Sequence, residues 1–221
     1  MAIPVQDIIA RAVDLLLDYE RGDDDARWTD AELIRWINDS RMAILTRKPS
    51  ACAKIATVPL AQGTLQTIPA DGVQLLDVIN NMGANGLTPG RSIRRTDRQN
   101  IDDDDLYWHK STAKAEISQF TYDDRIPKEF FVWPPAVAGT NVRISYVAIP
   151  PSVDTKDDTL EIGLECIDAV VNYVAYRAKA KDSQYANAAE AAAYYAAFND
   201  ALGTQAESQS NTSPNQPGNS V

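Results

Sequence analysis

One stretch, Trp28 to Pro49 (WTDAELIRWINDSRMAILTRKP), constrains the fold more than any other part of the chain. Thr29, followed three residues later by Glu32, is typical of a capping box, in which each side chain accepts from the other residue's backbone N–H. Trp28 and Leu33 have the spacing of a hydrophobic staple, and Pro49 disfavours helix at the residue before it. The sequence therefore predicts one helix with both ends marked and one broad apolar face that requires burial.

Three further helices are predicted near the chain ends from apolar residues at helical spacing. Residues 4–20 carry a stripe that includes Leu17, and Cys166–Lys181 carries a second stripe. Ser183–Leu202 is crowded with alanine, the residue with the highest helix propensity, and small side chains allow close approach of another helix. Gly203 is expected to stop this last helix.

Between Ala53 and Pro150 the helical period gives way to short β-prone runs separated by Gly, Pro and Asn. Two of these runs flank Ala61–Thr64 and predict a hairpin. About five or six strands in all indicate a small sandwich or curled sheet. The expected strands are Ile55–Leu60, Leu65–Pro69, Leu75–Ile79, Ala115–Tyr122, Phe130–Pro134 and Val142–Ile149, with a turn at Asn80–Gly90 and a short helical turn within Arg94–Trp108.

The expected fold class is α+β. Helices from both chain ends are predicted to form a bundle that carries a small antiparallel β domain as an insertion. The last residues, TQAESQSNTSPNQPGNSV, are polar and rich in Ser, Asn, Gln and Pro, and we expect them to form a disordered arm. The predicted divisions are 1–50 and 156–203 for the bundle, 51–155 for the β domain and 204–221 for the arm.

The overall charge is acidic, with a formal net charge of −10 and a pI near 4.6. This argues against a protein whose main task is to grip nucleic acid, although an acidic channel wall can surround DNA without holding it. The first twenty residues have no basic leader and carry three aspartates among the apolar residues, which argues against a signal peptide or a membrane span.

Two charged clusters in the β region are candidates for function. Arg91, Arg94, Arg95 and Arg98 form the densest basic patch, which could contact DNA phosphate or an acidic partner. The alternative is a solvated loop whose arginines pair with neighbouring aspartates. Asp102–Asp105 with His109 could suggest a hydrolase, but adjacent aspartates point in different directions and His109 is the only histidine. We therefore expect no enzyme, no cofactor and no metal site.

Aromatic and alanine-rich segments are candidates for contacts. Phe130–Pro135 (FFVWPP) is expected in the core, with Pro134 and Pro135 ending a strand, and Trp133 is a candidate subunit contact. Trp108, Phe131 and Trp133 also motivate an alternative function, a β domain that binds sugar or peptide on a helical stalk. In the alanine-rich helix, the candidate subunit interface is Ala189, Ala192 and Ala193.

Four segments in order resemble one family, the head-to-tail adaptor proteins of short-tailed bacteriophages, also called tail tubular protein A-like or phage adaptor proteins. They are WTDAELIRWINDS, QTIPADGVQLLDVINN, YDDRIPKEFFVWPP and NYVAYRAKAKDSQYAN, and the resemblance runs over about residues 3–202. It implies a structural virion protein that forms a ring, a dodecamer, between the portal protein and the tail nozzle, with tail fibres as a further partner.

The same resemblance implies that packaged DNA is retained and later passes through the lumen of the ring without sequence-specific binding. It implies no membrane association, and it places the protein in the virion after assembly in the cytoplasm of the host bacterium. C-terminal segments of the family commonly contact the portal. The implied portal-binding residues here are therefore Thr204, Gln205, Asn211, Pro214, Pro217 and Val221.

Overall fold

The fold was obtained as a computed structural model, which describes residues 3–19, 26–181 and 185–210, with side chains described up to residue 203. The contacts divide the chain into two compact units. The helical unit comprises Met1–Ala51 and Pro150–Val221, and the sheet unit comprises Cys52–Ile149. The chain is therefore mixed, with helices and sheets largely separated along the sequence.

The described residues form five α-helices and ten strands. The helices are α1 (Val5–Leu16), α2 (Asp30–Arg47), α3 (Arg98–Asp104), α4 (Ile167–Ala180) and α5 (Ala188–Ser210). The strands are β1 (Ile3–Pro4), β2 (Ala53–Pro59), β3 (Gly63–Thr67), β4 (Gly72–Met82), β5 (Pro89–Ser92), β6 (Arg94–Arg95), β7 (Gln119–Tyr122), β8 (Glu129–Ala136), β9 (Asn141–Ala148) and β10 (Thr159–Leu160).

The helix α2 has the ends that the sequence predicts. Thr29 Oγ1 accepts from the backbone N–H of Glu32 at 3.3 Å, and Glu32 Oε2 accepts from the backbone N–H of Thr29 at 3.2 Å. Trp28 and Leu33 are both buried in the same apolar cluster, as a hydrophobic staple requires. The capping box is thus confirmed, and it fixes where this helix begins.

The helical unit encloses one apolar core in which α4 contacts α1, α2 and α5. The short strands β1 and β10 pair antiparallel, with Ile3 opposite Leu160. Asn38 on α2 bonds both the N–H and the C=O of Val153 at 3.0 and 2.8 Å, and this holds the segment that leads towards β10. Side chains that contribute most to the core are Val5, Ile8, Trp28, Leu33, Ile37, Ile44, Val170, Val174 and Phe198.

Three expectations about the helices were wrong in detail. The first helix ends at Leu16, because Leu17 adopts a left-handed conformation with φ 54°, so its side chain is exposed rather than part of the buried stripe. The last helix begins at Ala188, where Asn187 Oδ1 accepts from two backbone N–H groups of the first turn.

Gly203 does not stop the last helix, which continues to Ser210. Glycine costs only about 1 kcal/mol in a helix interior, and the helix formers that follow it offset this cost. The first seven residues of the expected disordered arm, 204–210, are therefore helical. The rest of the arm, residues 211–221, lies outside the described residues.

The sheet unit consists of two four-stranded sheets around one apolar core. The strand order of the first sheet is β2-β9-β4-β5, and that of the second sheet is β3-β8-β7-β6. All pairs are antiparallel except β6 with β7. In the first sheet Ala53 lies opposite Val147, so the first strand of the unit and the long strand that leads out of it are neighbours.

The predicted hairpin at Ala61–Thr64 was wrong. The strands on either side of this segment, β2 and β3, belong to different sheets, so the segment crosses between the sheets. The Gln66 side chain bonds the backbone N–H and C=O of Ala61 at 2.8 and 2.9 Å and thereby supports the crossing. A turn with Gly is compatible with both connections, which is why sequence alone could not separate them.

Two strand ends also differ from expectation. The strand β8 continues through Pro134 and Pro135 to Ala136. Its last pair with β7 is Trp133 with Gln119, and its pairing with β3 shifts between Phe131 and Ala136, so the two prolines need no regular ladder bond. The strand β4 continues through Asn80 to Met82, and a tighter turn then leads into β5.

Candidate assembly surfaces

The alanine-rich helix α5 presents two different faces. Ala191, Phe198 and Leu202 are buried, whereas the candidate interface residues Ala189, Ala192 and Ala193 are exposed. Lys179 on α4 pairs with Glu190 on α5 at 2.8 Å beside this face. The exposed alanines form a smooth surface on which another helix could pack closely. Their role as a subunit contact stays a prediction.

An aromatic cluster lies between α4, α5 and the end of α2. The rings of Tyr173 and Phe198 are 5.2 Å apart, and those of Tyr176 and Tyr195 are 4.9 Å apart. The Arg47 guanidinium lies 5.2 Å from the ring centre of Phe198 and donates to the Tyr195 hydroxyl. These contacts fix the end of α2 against α5 and are explained by packing.

The four arginines of the basic patch lie on β5, on β6 and at the start of α3, and all four are exposed. Arg91 faces Glu116 at 3.7 Å and Arg98 pairs with Asp102 at 3.3 Å. Arg95 lies 5.8 Å from the ring centre of Tyr122. The patch is thus partly neutralised by neighbouring carboxylates, as the solvated-loop alternative expects, although its residues lie mostly in strands.

Asp77 is the carboxyl group that faces this patch from the first sheet. Burial raises the pKa of Asp77 above its ordinary value, while a backbone hydrogen bond from Val78 and the charge of Arg95 act in the opposite direction. Burial likewise raises the pKa of Tyr122. Desolvation is the largest cause for both groups, so the Asp77 carboxyl and the Tyr122 hydroxyl are partly withdrawn from water beside the exposed arginines.

Two residues of the hydrolase hypothesis, Asp102 and His109, contact Trp108, whereas Asp103–Asp105 are exposed and lie outside these contacts. Asp102 Oδ1 accepts from Trp108 Nε1 at 2.8 Å, and the Trp108 ring stacks on His109 with centroids 3.7 Å apart. His109 Nδ1 lies 2.8 Å from Thr64 Oγ1. Trp108 is only 1% exposed. These contacts anchor α3 and the following turn on the second sheet, and each polar atom named here has a structural partner.

No group of three or more histidine, cysteine or acidic side chains is arranged to hold a metal ion among the residues that the structure describes. Within the same residues, no helix combines the length and the apolar character that a bilayer crossing needs.

The aromatic residues of the ligand-binding alternative differ in exposure, and Trp108 packs edge-on against Phe131 with ring centroids 6.1 Å apart. Trp108 is buried and cannot stack on a ligand, whereas Phe131 and Trp133 are half-buried on the outward face of β8. Leu65 on the adjacent strand lies opposite Phe131 and is exposed. The outward face of the second sheet therefore carries a small apolar surface, but not the three-residue platform that the sequence suggested.

The implied portal-binding residues are only partly described. Thr204 and Gln205 lie within α5, of which only the backbone is described at these positions. Asn211, Pro214, Pro217 and Val221 lie outside the described residues.

Sequence reasoning missed the outer edge of β2, because it placed this strand in a hairpin. One signal for an edge was present: Pro59 ends the run, and proline inside a sheet is confined to edge strands, strand ends and bulges.

Comparison with known proteins gives one family. A search of curated proteins finds no match to the chain. A family model described as SU10 adaptor protein matches residues 3–218, which includes both the helical and the sheet unit. This match covers nearly the whole sequence and confirms the resemblance to phage adaptors. The chain therefore belongs to the SU10 adaptor protein family of phage head–tail adaptors.

Proposed function

We propose that the protein is a structural component of a phage virion that assembles as a ring of identical copies, a dodecamer, between portal and tail nozzle. The observation that carries the proposal is the family match over residues 3–218, which includes both units rather than one shared module. In this role the four long helices form a bundle, and the sheet unit is an insertion that is free to meet tail components, including fibres. The adaptor assembles in the cytoplasm of the host bacterium and remains in the virion.

The surfaces described above support a structural role rather than a catalytic one. The exposed alanines of α5 suit lateral packing of neighbouring copies, with Trp133 as a second contact. A net charge of −10 suits a lumen through which DNA slides without being held, and Arg91, Arg94, Arg95 and Arg98 are the local exception, where phosphate or an acidic partner can be contacted.

In this proposal the C-terminal residues 204–221 contact the portal. Because α5 extends to Ser210, the first seven residues of the arm would be helical in this role.

Light scattering of the purified full chain, alone and mixed with portal rings, tests the proposal. A ring-sized complex that appears when portal rings are added is the expected result. A chain that neither assembles nor binds portal rings at high concentration would contradict it. A shortened chain that ends at Ser210 tests the portal contact separately from the contact between copies. It is expected to lose portal binding and to keep the fold of both units.

Ala192 and Ala191 provide a matched pair for the subunit contact. Ala192→Leu changes an exposed position, so it should block ring formation and leave the melting temperature unchanged. Ala191→Leu changes a buried position and should lower stability by overpacking, by about 1–3 kcal/mol. Normal ring formation by the Ala192→Leu variant would show that this face is not the interface.

A second candidate function is a sheet unit that binds sugar or peptide, favoured by the half-buried Phe131 and Trp133 on the outward face of β8. Trp133→Ala should then abolish binding in a ligand screen without loss of folding. A variant that folds and binds like the unchanged protein would remove this candidate.

A further inference from the structure

The first strand of the sheet unit, β2, is an edge strand. Its residues Ala53–Pro59 pair with β9 on one side, and none of the described residues forms a strand on its other side. At seven residues it is the longest of the four edge strands in this unit. An edge of this length presents a row of backbone donors and acceptors, which is a template for another strand.

The register shows which backbone groups point outward. Leu60 follows β2 in the same register, and its N–H and C=O bond Thr140 and Gly139 on the β9 side. Because the backbone groups of an antiparallel strand alternate in direction, Ala56 and Val58 also face β9. Ala53, Ile55 and Thr57 then direct their N–H and C=O groups outward. Pro59 occupies the next outward position, where its missing N–H breaks no bond within the sheet.

The side chains of β2 divide in the same alternating way. Ala56 and Val58 pack against the core of the sheet unit. Ile55, on the opposite face, is 63% exposed, and Ala53 and Thr57 are exposed as well. Lys54, the single charged residue of the strand, pairs with Asp71 at 3.4 Å and lies on the core side of the alternation. The outward positions therefore carry no charge that would repel an incoming strand.

We propose that the free protein forms a two-fold dimer in which the outer edge of β2 pairs antiparallel with β2 of a second copy, centred on Ile55. The backbone groups specify an extended peptide, and β2 is complementary to itself in this register. Ala53 lies opposite Thr57 of the second copy, and Ile55 lies opposite its own equivalent, so that about six backbone hydrogen bonds form. The two exposed isoleucines then cover each other.

The centre at Ile55 is favoured over neighbouring centres. It places each Lys54 opposite an Ala56, whereas a centre at Lys54 would bring two ammonium groups together, which is destabilising. It also leaves Pro59 beyond the paired segment, where proline would otherwise remove a bond. A two-fold contact of this kind closes on itself and cannot build a ring, so the inference is independent of the proposed ring contact.

The test is a charge exchange at the centre of the pairing. Full-length chains with Ile55→Lys and with Ile55→Glu are made and studied by light scattering and analytical ultracentrifugation in 0.15 M salt, where the Debye length of about 8 Å screens the acidic net charge. Ile126→Lys, at a 52% exposed residue of the same unit, is the matched control. Circular dichroism verifies that each variant is folded, as expected for changes at exposed positions.

The unchanged protein and Ile126→Lys are expected to be dimers across a concentration series, and each Ile55 variant alone a monomer. A mixture of the two Ile55 variants should restore the dimer, because opposite charges then meet across the two-fold axis. A monomeric unchanged protein, or dimers of either Ile55 variant alone, would overturn the proposal. Two monomeric variants that do not associate when mixed would also overturn it and would indicate that β2 pairs with a different strand.

Discussion

The helical unit and the sheet unit satisfy their backbone hydrogen bonds in different ways. In the helices almost every bond is made within one element, and α2 even closes its first turn through its own Thr29 and Glu32. The sheet unit depends on distant partners: the Asn81 side chain bonds the N–H and C=O of Ile117, and β2 retains an open edge. The difference teaches that the helices use up their own backbone groups, whereas the sheet unit leaves backbone groups open to a partner at the edge of β2.

The largest expected effect concerns the core of the helical unit. Trp28→Ala removes one of the largest fully buried side chains and should lower the free energy of unfolding by about 3–5 kcal/mol through cavity formation. Urea unfolding followed by circular dichroism at the helix band measures this change. Met42→Ala, at an exposed position of α2, is the control and should change stability little. Equal effects of the two changes would contradict the placement of Trp28 in the core.

The next largest effects are expected at two side-chain amides, Asn81 in the sheet unit and Asn38 in the helical unit. Asn81→Ala leaves backbone groups of Ile117 and Arg91 without their partner inside the sheet unit, which should cost about 2–4 kcal/mol. Asn38→Ala should cost less, about 1–2 kcal/mol, because Asn38 is only half-buried and water can replace it.

Unfolding curves of the two asparagine variants, with Asn100→Ala at an exposed site as reference, check the order of these costs. The reverse order, with Asn38→Ala the more costly change, would contradict the dependence of the sheet unit on its buried side-chain amides.

A smaller effect is expected at the start of α2. Thr29→Ala removes the hydroxyl that accepts from the Glu32 N–H and should destabilise the helical unit by about 1 kcal/mol. Thr29→Ser retains the acceptor and should restore most of the loss. Thermal melting of both variants provides the measurement, and an alanine variant as stable as the serine variant would show that the cap contributes nothing.

The smallest effects are opposite responses to pH in the two units. A hydrogen bond from Lys181 lowers the pKa of Glu32, with its Nζ 2.5 Å from Glu32 Oε1. A lowered folded-state pKa stabilises the protein above the ordinary value of 4.5, and this contribution is lost as the pH falls through the folded-state pKa. Glu32→Gln should therefore flatten the loss of stability on acidification relative to the unchanged protein.

Asp77 should behave with the opposite sign. Since burial raises its pKa, the protonated form is favoured in the folded protein, and stability is lost as the pH rises through the folded-state pKa. Asp77→Asn should therefore stabilise the sheet unit at pH 7, and the gain should disappear below the ordinary pKa of 3.8. Melting temperatures measured from pH 3 to pH 8 check both variants, and a shared sign would refute the contrast.

The sequence predicted the helical unit better than the sheet unit, because helices depend on local residues and sheets on distant ones. The start of α2 was predicted because its signals lie within six residues of one another. The pairing of Ala53 with Val147 was not, because nothing local in either strand identifies a partner so far along the chain. The helix ends at Leu17 and Gly203 were predicted wrongly for a related reason. A leucine can end a helix, and a glycine can lie within one, when the neighbouring residues favour that conformation.

The candidate surfaces were predictable only as residue types. The alanines of α5 identify a helix that others can approach closely, but which of them are exposed depends on the position of α4. Trp108 and Trp133 look equivalent in the sequence, yet Trp108 is buried and donates to Asp102, whereas Trp133 is half-buried. For the open edge of β2 the sequence offers only Pro59 as a local signal, since an edge is otherwise defined by which strands pair elsewhere.

The pairing of Ala53 with Val147 has a consequence for how such a chain can change in evolution. Opposite residues of an antiparallel pair are about 5 Å apart, so the inserted unit begins and ends at nearly one point. A short loop could replace everything between them without stretching the remainder of the chain. Gene exchange could therefore remove this unit or substitute another as a cassette, and related phages could vary the inserted module while they inherit the same helices.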